Sequence, residues 1–131
     1  MKVLHIITRL NTGGPAVFLD HLTRSMDDLN CESLIAYGYC ESNESDYTEN
    51  HKFNAKLLKV NSLHRSLNPI DDIKTFFLLR KTIKQIKPDV VNTHTSKAGV
   101  LGRLAAKSVD KKNVSCAHIP WPLNLWLFCS L

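Results

Sequence analysis

Short apolar segments alternate along this chain with longer amphipathic ones, and this alternation restricts the fold more than any other feature. Lys2 to Thr8 is the type of strand expected when both faces of a parallel sheet are covered. Further strands are predicted at residues 32–38, 55–60, 89–94 and 113–119. Strands that alternate with helices predict right-handed βαβ units. The expected fold is therefore α/β, a Rossmann-like, doubly wound parallel sheet with helices on both faces.

Three helices are predicted between these strands. The first begins near Pro15, because a first helical turn tolerates the missing N–H of proline. The second follows Asn68 and ends before Pro88, and the third starts at Thr95 or Ser96. The apolar spacing predicts buried stripes of Leu19, Leu22, Met26 and Leu29 in the first helix and of Ile73, Phe76, Leu79, Ile83 and Ile86 in the second. The polar segment 39–53 is expected to be a surface excursion.

The composition restricts the class of partner. Seventeen Lys and Arg against twelve Asp and Glu give a net charge of +5, which suits anionic partners such as phosphorylated metabolites or an acidic membrane surface. The few aromatic residues are not interleaved with basic ones, so nucleic acid is not an expected partner. The four cysteines are scattered without a C-x-x-C pair, so we expect reduced thiols, no metal site and a cytoplasmic protein.

Two loops are expected to share one crevice. In a doubly wound sheet, ligands bind beyond the carboxyl ends of the strands where the strand order reverses. If the first and fourth strands are neighbours there, the loops at residues 11–14 and 94–97 face each other. Gly13 and Gly14 precede a helix N-terminus, where unpaired N–H groups can bind phosphate. The spacing is neither G-x-G-x-x-G nor a Walker loop, so a tight turn with close helix packing is an equally open interpretation.

The second loop carries the richer set of polar side chains. His94, Thr95, Ser96 and Lys97 together could hold an anionic or hydroxylated ligand. Each also has an ordinary alternative: Thr95 or Ser96 as a helix cap, Lys97 as a solvated charge, and His94 as hydrogen-bonded structure. Gly99 and Gly102 are predicted to contact the sheet. No role is assigned to the remaining histidines before the fifth strand, which are His5, His21, His51 and His64.

The segments HIITRLNTGGPAVFLDHL and KPDVVNTHTSKAGVLGRLAAK resemble the amino-terminal half of family 4 retaining glycosyltransferases, a likeness that spans residues 1–107. The resemblance implies the first half of a GT-B fold, a nucleotide-sugar donor, and a glycan or lipid-linked acceptor in polysaccharide or capsule biosynthesis. It implies no metal and no cofactor. It also implies that Gly13 and Gly14 lie near the donor phosphates and the acceptor. From their residue types, His94, Thr95, Ser96 and Lys97 are the further candidates for substrate binding.

The chain departs from the family pattern at two places. Asn92 stands where the family often has histidine, and the sequence CAHIPWPLNLWLFCSL replaces the usual histidine–glycine pair after the fifth strand. His118 is the candidate for the family's catalytic histidine, although it lacks the following glycine; the alternative is a residue at the end of the fifth strand with no catalytic role. We expect an acceptor-side domain at residues 1–118 and an aberrant apolar tail at 119–131, as in a truncated enzyme.

Three functions remain open from the sequence. The chain could be the amino-terminal half of a glycosyltransferase that is inactive alone, with peripheral contact at the inner face of the membrane. It could instead be a self-sufficient nucleotide-binding module. The third possibility is a non-catalytic subunit that pairs with a separately encoded second domain.

Overall fold

The computed structural model describes residues 1–109 and, for the backbone, residues 114–116. Five parallel strands form one sheet in the order β3-β2-β1-β4-β5. The strands are β1 (Lys2–Ile7), β2 (Glu32–Tyr37), β3 (Lys56–Lys59), β4 (Val90–Thr93) and β5 (Val114–Cys116). The parallel α/β sheet predicted from the alternation is confirmed, and the strand order reverses between β1 and β4 as a ligand crevice requires.

Three helices cover both faces of this sheet: α1 (Gly14–Asp28), α2 (Pro69–Ile86) and α3 (Ser96–Lys107). Side chains of β1 alternate between the two faces because successive strand residues point in opposite directions. Leu4 and Ile6 pack with Leu79 of α2 and Ala98 of α3 in one core. Ile7 belongs to the second core, which includes Ala16 and Leu19 of α1. The sheet is therefore doubly wound, as predicted.

The predicted buried stripes of α1 and α2 are partly wrong. Helix α1 ends at Asp28, so Leu29 follows the last turn and is 74% exposed. In α2 the buried residues are Thr75, Leu79 and Ile83, whereas Ile73 is 59% exposed. Thr75 can face the core because its hydroxyl donates to Ser62 Oγ at 2.8 Å, and Phe76 and Ile86 of the predicted stripe are partly buried against the same core.

The polar segment 39–53 is more than a surface excursion. Tyr47 and Phe53 are buried and join the α1-side core, and Tyr47–Glu49 forms a 3₁₀ turn. The Tyr47 N–H donates to the Leu10 carbonyl at 2.8 Å, and the Thr12 N–H donates to the Ser45 carbonyl at 2.7 Å. The segment therefore supports the loop that leads from β1 into the glycine pair.

His118 and the tail 119–131 lie outside the described residues, so the domain boundary at residue 118 remains an expectation. In the part of the chain that the structure describes, none of the helices is sufficiently long and apolar to cross a bilayer.

Candidate functional site

The loops after β1 and β4 meet at the carboxyl edge of the sheet and are tied together. The His94 N–H donates to the Ile6 carbonyl at 2.9 Å. The Thr8 N–H donates to Thr95 Oγ1 at 3.1 Å, and the two threonine hydroxyls are hydrogen-bonded to each other. The structure thus brings the predicted glycine loop and the predicted His94–Lys97 loop to one crevice.

The glycine pair lies in open space. Gly13 is the N-cap of α1 with φ 177° and ψ 179°, an extended conformation that any residue adopts. A Cβ at Gly13 would lie 3.8 Å from Asn11 Nδ2, an ordinary contact, and a Cβ at Gly14 would have no described neighbour within 4 Å. Neither a positive φ nor close helix packing within the described residues explains these glycines. The backbone at Gly13 and Gly14 is therefore open to the approach of a ligand.

The helices that begin at this crevice have uncapped N-termini. Among the residues that the structure describes, no side chain caps α1 at Gly13 or α3 at Thr95, and neither helix has an acidic residue in its first turn. The first N–H groups of a helix have no partner within the helix and carry the positive end of its dipole. Two such ends at one edge make the crevice suited to a negatively charged group.

A buried histidine pair lies at the same edge. His5 Nδ1 and His94 Nε2 are 3.0 Å apart, and both residues are buried. Burial, and secondarily the charge of His94, lowers the pKa of His5 to about 3. Burial lowers the pKa of His94 to about 4. Both rings are therefore neutral near pH 7, and the contact is a hydrogen bond between neutral imidazoles.

The other predicted binding residues differ in what they are free to do. The hydroxyl of Thr95 is bonded to Thr8. Lys97 Nζ is 2.6 Å from Asp72 Oδ1 and also donates to the Ser66 carbonyl, so its charge is balanced by the protein itself. Ser96 is exposed at the start of α3. The binding roles predicted for His94, Thr95, Ser96 and Lys97 therefore stay predictions.

Two contributors to the site were missed in the sequence. His5 contacts His94, and Thr8 ties the two loops. His5 lies in β1, and Thr8 follows the last residue of this strand. The sequence signal for them was a histidine and a threonine in an otherwise apolar segment. Among residues 1–109 and 114–116, no three His, Cys, Asp or Glu residues are grouped so that they could hold a metal ion.

Comparison with known proteins decides the family. Residues 12–129 match the family described as Glycosyltransferase Family 4. The chain belongs to Glycosyltransferase Family 4. Over 48 residues it is 46% identical to the UDP-Gal:alpha-D-GlcNAc-diphosphoundecaprenol alpha-1,3-galactosyltransferase of Escherichia coli, a match that covers 37% of this chain and 12% of that protein.

Solved structures show the same fold at low identity. The lipopolysaccharide outer core galactosyltransferase WaaB matches with a TM-score of 0.68 and 13% identity, over 90% of this chain and 33% of that one. The UDP-GlcNAc 2-epimerase of Methanocaldococcus jannaschii matches with a TM-score of 0.63 and 17% identity, over 96% and 33%. This family 4 chain therefore has the Rossmann-like fold of one GT-B domain, and it spans about a third of the length of these structures.

Proposed function

We propose that this family 4 domain is the acceptor-side part of an enzyme that transfers a sugar from a nucleotide-sugar donor to a glycan or lipid-linked acceptor. The observation that carries the proposal is the open space at Gly13 and Gly14, next to the uncapped N-terminus of α1 and at the same edge of the sheet as His94. The curated Escherichia coli relative, whose name specifies a UDP-Gal donor and a diphosphoundecaprenol-linked acceptor, supports this substrate class.

The chemistry needs groups that stabilise the charge that develops on the departing diphosphate. Backbone N–H groups at the starts of α1 and α3 suit this role because they are fixed before the reaction begins. Lys97 is a weaker candidate for the same role, since Asp72 already balances its charge. The solved relatives are about three times as long as this chain. We propose that residues outside it complete the donor site and that the chain alone does not turn over.

Calorimetric titration with UDP-sugars, and an assay for release of the nucleoside diphosphate, test the proposal. We expect measurable binding and no turnover by the chain alone. Gly13→Val should weaken binding at least tenfold, because the added side chain occupies the approach to the α1 N-terminus. Ser42→Val is the matched control, since it adds the same side chain at an exposed position in segment 39–53.

Three outcomes would contradict this view. Equal effects of the two valine variants would show that the glycine loop is not the binding site. Binding of NAD without binding of UDP-sugars would favour the self-sufficient nucleotide-binding module. Turnover by the chain alone that disappears in His94→Ala would show that no second domain is needed.

We further propose that α2 contacts the anionic inner face of the membrane, where a lipid-linked acceptor would be found. Ile70, Ile73 and Phe77 are 67%, 59% and 58% exposed on this helix. Lys74 is exposed between Ile73 and Phe77, and Lys81 is exposed one turn after Phe77, so apolar and cationic side chains share one surface. Such a combination is typical of helices that lie in a membrane interface.

Flotation with vesicles tests this contact. The chain should float with vesicles that contain anionic lipid and less with neutral ones, and Phe77→Ser should reduce the fraction bound several-fold. Leu29→Ser is the matched control, because Leu29 is 74% exposed at the end of α1 on the opposite face of the sheet. Equal losses in both variants, or no flotation at all, would contradict the proposal.

A further inference from the structure

The histidine pair at the crevice has one unsatisfied atom. His5 has no exposed surface, and its Nε2 has no hydrogen-bond partner among the described residues. His94 is 7% exposed, so it is the ring of the pair that reaches the surface. A buried polar atom without a partner is unfavourable and uncommon in native proteins. An apolar residue at position 5 would avoid the cost of this unsatisfied atom.

The direction of the hydrogen bond follows from a third residue. A neutral imidazole has one N–H donor and one acceptor nitrogen, so either His5 Nδ1 or His94 Nε2 carries the proton. His5 and Asn92 are direct partners across β1 and β4, and Asn92 Nδ2 lies 3.5 Å from His5 Nδ1. An amide nitrogen can only donate. A proton on His5 Nδ1 would face this amide donor, so His5 Nδ1 accepts, the His5 proton lies on Nε2, and His94 donates from its own Nε2.

We propose that His5 is a positioning residue that holds His94 in the tautomer with a proton on Nε2 and a bare Nδ1. In that tautomer His94 offers the crevice a hydrogen-bond acceptor, which suits a hydroxyl group of the sugar donor or of the acceptor glycan. A side chain locked from behind in this way keeps one orientation and one tautomer before ligand binds. This inference rests on the proposed function for its ligand, and on the geometry of the pair for the tautomer.

Long-range proton–nitrogen NMR correlations of the histidine rings report the tautomer directly. In the ¹⁵N-labelled chain we expect His94 to show a protonated Nε2 and an unprotonated Nδ1. His5→Asn places an amide oxygen near the position of Nδ1 and should retain that tautomer. His5→Phe fills a similar space without an acceptor and should give both tautomers of His94 in exchange.

The inference is overturned if His94 of the natural chain carries its proton on Nδ1. It is also overturned if His5→Phe leaves the His94 spectrum unchanged, or if His5→Asn behaves like His5→Phe. Should His5→Phe fail to fold, the natural chain and His5→Asn still decide. The spectrum requires no ligand, so a chain with the expected tautomer and no affinity for UDP-sugars would contradict the proposed function and leave the role of His5 intact.

Discussion

The carboxyl edge of the sheet has a closed half, above β2 and β3, and an open half, above β1 and β4. In the closed half, a Cβ added to Gly38 would lie 1.7 Å from the Leu63 carbonyl oxygen. In the open half, a Cβ at Gly14 would meet no described atom within 4 Å. Glycine in the closed half is required by packing of the protein against itself. Glycine in the open half leaves space at the backbone, as the proposed binding position requires.

The helix starts differ in the same way. At α2 the Asn68 side chain accepts hydrogen bonds from the N–H groups of Ile70 and Asp71, and Asp71 and Asp72 lie in the first turn. At α1 and α3 no side chain in the described part of the chain performs this role. Among the described residues, the start of α2 is therefore capped and flanked by carboxylates, whereas the two helix starts at the proposed crevice are left uncapped, as the proposed anion site requires.

Gly38→Ala should have the largest effect on this comparison. The new methyl group would overlap the Leu63 carbonyl and come within 2.5 Å of the Thr8 carbonyl oxygen. Backbone atoms cannot rotate away as side chains can, so we expect the free energy of unfolding to fall by at least about 3 kcal/mol. Urea denaturation followed by circular dichroism measures the loss.

Gly14→Ala is the matched variant in the open half. It should change the free energy of unfolding by less than about 1 kcal/mol, and in the stabilising direction, because alanine reduces the freedom of the unfolded chain. Similar losses in the two variants would show that the open half is filled by the protein itself, and the comparison would fail.

The sequence predicted the fold and the place of the site better than the contacts within it. Alternating periodicity is a local signal, so the parallel sheet and the meeting of the loops at Gly13 and His94 followed from it. The pairing of His5 with His94 depends on the register between β1 and β4, which residue spacing does not specify. Burial of Tyr47 in a polar segment and exposure of Ile73 depend on tertiary contacts, and these overrode the local pattern.

Acid should destabilise the open half through its histidine pair. The pKa of His5 is lowered to about 3 and that of His94 to about 4, from a usual value of 6.5. Below pH 6.5 the unfolded chain therefore binds protons that the folded chain does not, and stability falls as the pH decreases. Between pH 7.5 and pH 5 we expect a loss of about 2 kcal/mol for each histidine.

Variants of the pair assign this loss. His94→Gln removes one of the two titrating rings, so about half of the acid-dependent loss should disappear when denaturation is repeated across the same pH range. Because the two rings interact, the protons that they bind as the pH falls are assigned to the pair and not to one ring. The same acid-dependent loss in His94→Gln as in the natural chain would show that the destabilisation arises elsewhere.

Gly13→Asp should have the smallest effect on stability and separates folding from binding at the open half. Gly13 is the N-cap of α1 in an extended conformation that aspartate can adopt. A carboxylate there can accept from the first-turn N–H groups and complement the helix dipole, so the free energy of unfolding should rise by about 0.5 kcal/mol.

The same carboxylate of Gly13→Asp repels a phosphate at this helix start, and affinity for UDP-sugars should fall at least tenfold. Asn68→Asp places a similar charge at the start of α2 and should leave that affinity unchanged. Equal affinity in Gly13→Asp and the natural chain would mean that the ligand phosphates bind away from α1, and that the missing cap has no bearing on binding.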